Sequence, residues 1–286
     1  QHYLTSDAPV KKMIEAAKLT PSDTVVEIGP GFCILTFAVA PLVKEVIAFE
    51  IERKLEPYWE EKVKEYPNIR IVWGNALHRL QQSDFRLQRE RQSRSPKSEV
   101  HEAYKVLANL PYGITSDILR LLLEAERKPE KIVVMVQKEV GERMCAKAGN
   151  MSLLSVAIQY YGQPQIVAKV PPGAFWPPPK VESVVVAVDV HKSTENTENK
   201  KTPARHASLQ GVAGRQKTLD DATFFHIVRT GFSHKRKQVW SNLANGLHIP
   251  AEMVKSVLRE VVGNEKVRAE ELSIENWELI VGRLKW

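Results

Sequence analysis

The sequence predicts an α/β fold: a mostly parallel sheet with helices on both faces and an antiparallel edge strand, followed by a small all-helical C-terminal domain. Three observations predict it. Short β-branched runs alternate with helix-like segments through the first half of the chain, the pattern of βαβ units. Two later runs are joined by a proline-rich segment too irregular for a crossover helix. From Asp221 onward the apolar periodicity is helical.

The first five strands are read at "TVVEI" (24–28), "VIAFE" (46–50), "IRIVW" (69–73), "KVLAN" (105–109) and "KIVVMVQ" (131–137). The later pair is "IVAKV" (166–170) and "SVVVAVDV" (183–190), separated by "PPGAFWPPPK", and it should pair as an antiparallel hairpin-like unit at the sheet edge. Segments 81–99 and 191–217 are polar, the second nearly free of aromatics: the first interrupts the sheet domain, and the second is a linker or insertion. Four helical patterns follow: "ATFFHIVRTGF", "KRKQVWSNLANGL", "AEMVKSVLREVV" and "SIENWELIVGRL". The expected division is a sheet domain over 1–190, a polar linker or insertion over 191–220 and a helical RNA-binding domain over 221–286.

Composition bounds the function. Hydrophobic residues make up 43% of the 286, enough for a sizeable core, and no run approaches the about 20 apolar residues of a membrane span. The opening "QHYLTSDAPVKK" lacks the apolar core of a signal peptide, so the expectation is a protein of the cytoplasm, with an organelle as the alternative. Cys33 and Cys145 have no second cysteine or histidine at ligand spacing, which predicts neither a disulfide framework nor a metal site. A formal charge of +7 favours an anionic partner.

"VVEIGPGFCILT" (25–36) sets Gly29 and Gly31 after the first strand and ahead of a helix, where backbone N–H groups can approach a ligand closely. Ile34 stands where the third glycine of the dinucleotide fingerprint belongs, and Glu27 before the glycines is also atypical of it, so NAD is disfavoured. Glu50 ends the second strand, where a carboxylate can accept both hydroxyls of a ribose. Ile51 offers an apolar wall for adenine, and the Asn75 amide can pair with the adenine edge. All of these fall at the carboxyl ends of successive strands, the crevice where open α/β sheets bind ligands. S-adenosylmethionine fits this set better than a dinucleotide.

The fourth strand ends in "NLPY" (109–112). Asn and Pro also punctuate ordinary strand ends. Beside a methyl donor, however, the same residues acquire chemistry. The exocyclic amine of adenine is a poor nucleophile because its lone pair is delocalised into the ring. Asn109 Oδ1 can accept one of its N–H groups and the Leu110 carbonyl the other, since a residue before proline is held extended and Pro111 brings no competing N–H. Tyr112 can stack on the base and hold it in line for transfer.

The set "QHYL" (1–4), "EIGPG" (27–31), "NLPY" (109–112), "QKEV" (137–140) and "FWPPPKVES" (175–183), with "GFSHKRKQVWSNL" (231–243) and "RAEELSIENW" (268–277), closely resembles the KsgA/Dim-type ribosomal RNA adenine dimethyltransferases. The resemblance implies a class I (Rossmann-like) methyltransferase sheet, S-adenosylmethionine as cofactor, and transfer of two methyls to each of two adjacent adenines near the 3′ end of small-subunit rRNA during ribosome assembly. It implies that Gln1, His2 and Leu4 close over the methionine end of the cofactor, that Gly29 and Gly31 contact it from below, and that Glu27, Asn75, Ala76 and Asn109 complete its site beside Glu50 and Ile51. Phe175 would sandwich the target base with Tyr112. His2 stands where many members carry Asn, and Asn75 where Asp is usual, so Oδ1 accepts there without charge.

Arg229, Lys235, Arg236 and Lys237 are read as a basic helical surface for RNA phosphates. The expected partner is small-subunit rRNA in a pre-ribosomal particle, with no membrane and the chain as a monomer. Trp176 is read as packing beside the pocket, and His226 and His248 as helix-face residues. The alternatives are a large-subunit rRNA adenine methyltransferase of the macrolide-resistance type and a non-catalytic assembly or transcription factor on the same fold. "PPPKVES" and "RAEELS" favour the small-subunit enzyme.

Overall fold

The structure, a computed structural model, describes residues 2–81, 103–111, 113–125, 127–191 and 220–284. Gln1, Tyr112 and nearly all of the two polar stretches lie outside the described residues. The chain divides into two compact units, one of residues 1–142 with 162–190 and the other of residues 143–161 with 191–286.

The first unit holds a seven-stranded sheet. Its parallel strands are β2 (Thr24–Ile28), β3 (Glu45–Glu50), β4 (Ile69–Trp73), β5 (Tyr104–Asn109) and β6 (Lys131–Gln137), preceded in the chain by the short β1 (Tyr3–Leu4). Two long strands, β7 (Gly162–Val170) and β9 (Ser183–Val190), complete it, and β8 (Phe175–Trp176) lies between them in sequence. The spatial order is β4-β3-β2-β5-β6-β9-β7. β2 is buried along its whole length and β6 along all but its last residue, which is why they read as continuous apolar runs rather than as alternation. β4, at the edge, is mostly half-buried.

β9 runs antiparallel to both β6 and β7, so the late pair forms the edge as expected. The reversed strand is β9, one place in, and β7 beyond it returns to the common direction. A register shift between Ile166 and Ala168 interrupts their pairing. β1 and β8 make a separate antiparallel ribbon, with Tyr3 opposite Trp176 and Leu4 opposite Phe175.

From β2 the chain builds outward through β3 and β4, then returns to lay β5 on the other flank of β2. That reversal opens a crevice at the carboxyl ends of β2 and β5. Helices α1 (Asp7–Ala17), α2 (Ile34–Val39), α3 (Glu56–Glu65), α4 (Ala76–Gln81), α5 (Thr115–Glu124) and α6 (Lys138–Met144) accompany the strands. α5 buries Ile118, Leu119, Leu122 and Leu123, a stripe at helical spacing. One cluster joins Met13 of α1, Trp59 of α3, Val46, Leu107, Met135 and Phe175, so the core runs directly beneath the crevice.

The second unit is helical: α7 (Leu153–Tyr161), α8 (Asp221–Gly231), α9 (Val239–Leu247), α10 (Ala251–Val262) and α11 (Ile274–Arg283). Here the observed division departs from a linear boundary at 190. Segment 143–161 belongs with the helices because its aromatics are spent there: the Tyr160 ring stacks on Phe224 at 4.1 Å, and the Tyr160 and Tyr161 hydroxyls donate to the two carboxylate oxygens of Asp221 at 3.0 and 2.9 Å. Asp220 caps α8, accepting from Ala222 N and Thr223 N. Ser273 and Asn276 form a reciprocal capping box on α11.

Candidate active site

The turn after β2 is built by backbone that side chains resist. Gly29 has φ +70° and Gly31 φ +54°, both left-handed, and a Cβ on Gly31 would press on the Tyr3 ring at 3.3 Å. Gly29 N donates to the Phe49 carbonyl at 2.9 Å, tying the turn to β3. Cys33, also left-handed at φ +75°, then opens α2, its thiol donating to the Gly31 carbonyl at 3.3 Å. Burial, with the charge of Glu27 adding, pushes that thiol far above its ordinary range.

Glu50 ends β3 with its carboxylate buried and held. Oε2 accepts from Gly31 N at 3.1 Å and Oε1 from Glu52 N at 2.8 Å. A carboxylate has about four acceptor positions, so each oxygen keeps capacity for one further donor. Glu27, one strand over, is 3% exposed, and its carboxyl is pushed up to about 8. Burial is the main cause, Glu50's charge adds to it, and the Thr36 hydroxyl opposes it.

On the other flank, Leu110 N donates to the Met135 carbonyl at 3.1 Å and the Leu110 side chain is buried, which fixes the end of β5. The Pro111 carbonyl accepts from Ile114 N and Thr115 Oγ1, starting α5. The N-terminal ribbon completes the enclosure. Thr5 N donates to the Ala174 carbonyl at 2.8 Å, and His2 Nδ1 donates to the Pro177 carbonyl at 2.7 Å.

A cavity of about 330 Å³ results. It brings together the expected His2, Leu4, Glu27, Gly29, Gly31, Glu50, Ile51, Asn109, Leu110 and Phe175. Tyr3, Pro30, Phe32, Cys33, Ile34, Leu35 and Pro111 join them beyond the residues expected from sequence, and "GPGFCIL" directly after a strand is the signal for most of these.

Other expected residues stand elsewhere. Asn75 and Ala76 do not line the cavity: Asn75 is exposed and its Oδ1 accepts from Leu77 N at 3.0 Å, capping α4, while Ala76 is buried. Trp176, expected to pack, is exposed, whereas Phe175 sits in the wall and the core. Lys235, Arg236 and Lys237 are exposed as predicted, but they lie in the turn between α8 and α9 and not on a helix. Asn242 holds that turn open by donating to the Gly231 and His234 carbonyls at 2.7 and 3.2 Å, which ends α8 before the basic run begins. Arg229 is exposed in the last turn of α8, its guanidinium 5.9 Å from the Phe225 ring centre. His226 lies exposed on α8 and His248 closes α9 in a left-handed conformation.

The sheet order and a glycine-turn crevice closed by the Glu50 carboxylate define a class I methyltransferase fold. The model of one family, ribosomal RNA adenine dimethylase, matches residues 1–203. The chain is 39% identical over 282 residues to the ribosomal RNA small subunit methyltransferase A of Dehalococcoides mccartyi, covering 98% of this chain and 85% of that one. It is 32% identical to the protein of the same name from Bacillus cytotoxicus, covering 99% and 89%. The chain belongs to the ribosomal RNA adenine dimethylase family. A dimethyladenosine transferase from Plasmodium falciparum shares the fold with TM-score 0.70 at 23% identity, covering 97% of this chain and 95% of that one. The 23S rRNA methyltransferase ErmE does so with TM-score 0.68 at 22% identity, covering 99% of each.

Proposed function

We propose that this chain is an S-adenosylmethionine-dependent enzyme that converts two adjacent adenines near the 3′ end of small-subunit rRNA to N6,N6-dimethyladenine during ribosome assembly, acting as a monomer in the cytoplasm. One observation carries the reading: in a member of the adenine dimethylase family, the Glu50 carboxylate and the Asn109-Leu110 strand end form walls of a single cavity.

The residues fit the cofactor. Glu50 keeps acceptor capacity for a ribose diol, the exposed apolar side chain of Ile51 is assigned to the adenine ring, and His2 and Leu4, in the lining of the same cavity, are assigned to the methionine tail. Bound there, S-adenosylmethionine supplies an electrophilic methyl group on a positively charged sulfur.

The protein's part is positioning. Asn109 Oδ1 and the Leu110 carbonyl accept the two N–H groups of the target amine, returning its lone pair to nitrogen. Phe175 gives one apolar face to the base, and Tyr112 is assigned the other. No side chain has to act as a strong base, since the nitrogen releases its proton readily once it carries positive charge. Arg229, Lys235, Arg236 and Lys237 are assigned to rRNA phosphates, as exposed cations on a chain of net charge +7.

The test is incubation with labelled S-adenosylmethionine and undermethylated small subunits, followed by mapping of the modified bases. Two adjacent dimethyladenines near the 3′ end are expected. Label only at positions away from that adenine pair, or no transfer, would overturn the reading.

A further inference from the structure

Trp176 is 69% exposed although Phe175, its neighbour on β8, is 4% exposed and lines the cavity. The β1–β8 register explains the contrast. Directly opposed residues project from the same face of a ribbon. Leu4 and Phe175 therefore share the face packed on the core, and Tyr3 and Trp176 share the other. Tyr3 lies against Phe32, ring centroids 4.6 Å apart, and Phe32 is itself 55% exposed.

Single exposed apolar residues are ordinary on protein surfaces. These are not scattered. Of the seven large hydrophobics exposed among the described residues, Phe32 and Ile51 line the cavity and Trp176 directly adjoins its wall. Ile51 has an assigned occupant in the cofactor, whereas Trp176 has none.

We propose that Trp176 is a stacking platform for the nucleotide adjoining the target adenine on the RNA strand, with Tyr3 and Phe32 continuing the aromatic rim. The inference rests on the function proposed above. A base drawn out of its stack into the cavity brings its strand neighbours to the rim and uncovers the base faces it was stacked on. Every base has a π-face, so an exposed indole there holds the strand without reading its sequence. Trp176 is thus a positioning residue that acts on substrate RNA and not on the cofactor.

The test is binding of a labelled single-stranded RNA carrying two adjacent adenines, measured by fluorescence anisotropy beside methyl transfer to undermethylated small subunits. Trp176→Ala is expected to weaken RNA binding about tenfold or more, the loss of one base–aromatic stack, while Trp176→Phe keeps most of the affinity. Affinity for S-adenosylmethionine and the melting temperature should not move, because the indole is outside the cavity and the core. In the transfer assay KM should rise more than kcat falls. Equal RNA affinity for wild type and Trp176→Ala overturns the platform, including the case in which Trp176 serves a protein contact, and so does a wild type that fails to bind the RNA. A wild type that binds the RNA but transfers no methyl overturns the proposed function alone, and the affinity ratio still decides the platform.

Discussion

The Glu50 carboxylate accepts a hydrogen bond from the backbone N–H of Gly31 at 3.1 Å, across from β3 to the turn that follows β2. That bond does two things. It fixes a turn whose left-handed glycines have no side chains to hold it, and it aims a buried carboxylate along the crevice. Architecture and ligand recognition therefore share one side chain.

Glu50→Gln keeps the side-chain volume but removes the charge and turns one of the two oxygens that accept backbone N–H groups into a donor. It should weaken S-adenosylmethionine binding by about 2 kcal/mol, the value of a hydrogen bond to a charged group. Isothermal titration calorimetry measures it, and an unchanged Kd would remove the ribose assignment. Asn75→Ala should leave Kd far less affected and instead cost about 1 kcal/mol of stability through the lost cap on α4.

Glu27 makes stability depend on pH. Its carboxyl ionises near 8 in the folded chain against an ordinary value of 4.5, chiefly because it is buried. Between those values the folded state holds a proton that the unfolded state has released. Stability from this group is therefore complete below about 4.5 and is lost as pH rises toward 8, by up to ~1.4 kcal/mol per unit. Glu27→Gln, neutral throughout, should flatten that slope in urea unfolding measured across the window; an identical slope in both proteins would contradict the assignment.

Asn109→Ala removes one acceptor from the target amine and leaves the strand end anchored through Leu110. Methyl transfer should fall by about two orders of magnitude or more, roughly 3 kcal/mol of barrier, with subunit binding barely changed. Tyr112→Phe should keep most activity and Tyr112→Ala should not, because stacking needs the ring and not the hydroxyl. Single-turnover rates separate these outcomes, and a fully active Asn109→Ala protein would count against the mechanism.

Charge reversal at Lys235, Arg236 and Lys237 should weaken binding to small subunits and reduce its salt dependence, while cofactor affinity stays as it was. These side chains project from a turn between two helices, so the change should not melt either one. A salt slope equal to that of the wild type would mark the turn as solvated surface only.

The strands, their mostly parallel order and the ligand end of the sheet are legible in the sequence, because each is written in local periodicity and in glycines placed at strand ends. "TVVEIGPG" and "VLANLP" each carry a strand and its exit within a few residues. The four helices after Asp221 are legible for the same reason, apart from the start of α9. Tertiary structure alone decides what depends on partners far away in the chain. It brings Leu4 opposite Phe175 and turns Trp176 outward, since the register of a ribbon joining positions some 170 residues apart is set by packing and not by either short segment. It assigns Tyr160 and Tyr161 to the helices through Asp221, where the linear pattern placed them with the sheet. It uses Asn75 Oδ1 as a helix cap and holds the Glu27 proton by burial. Residue type states which hydrogen bonds and charges are available; solvent exclusion and distant neighbours determine which of them are used.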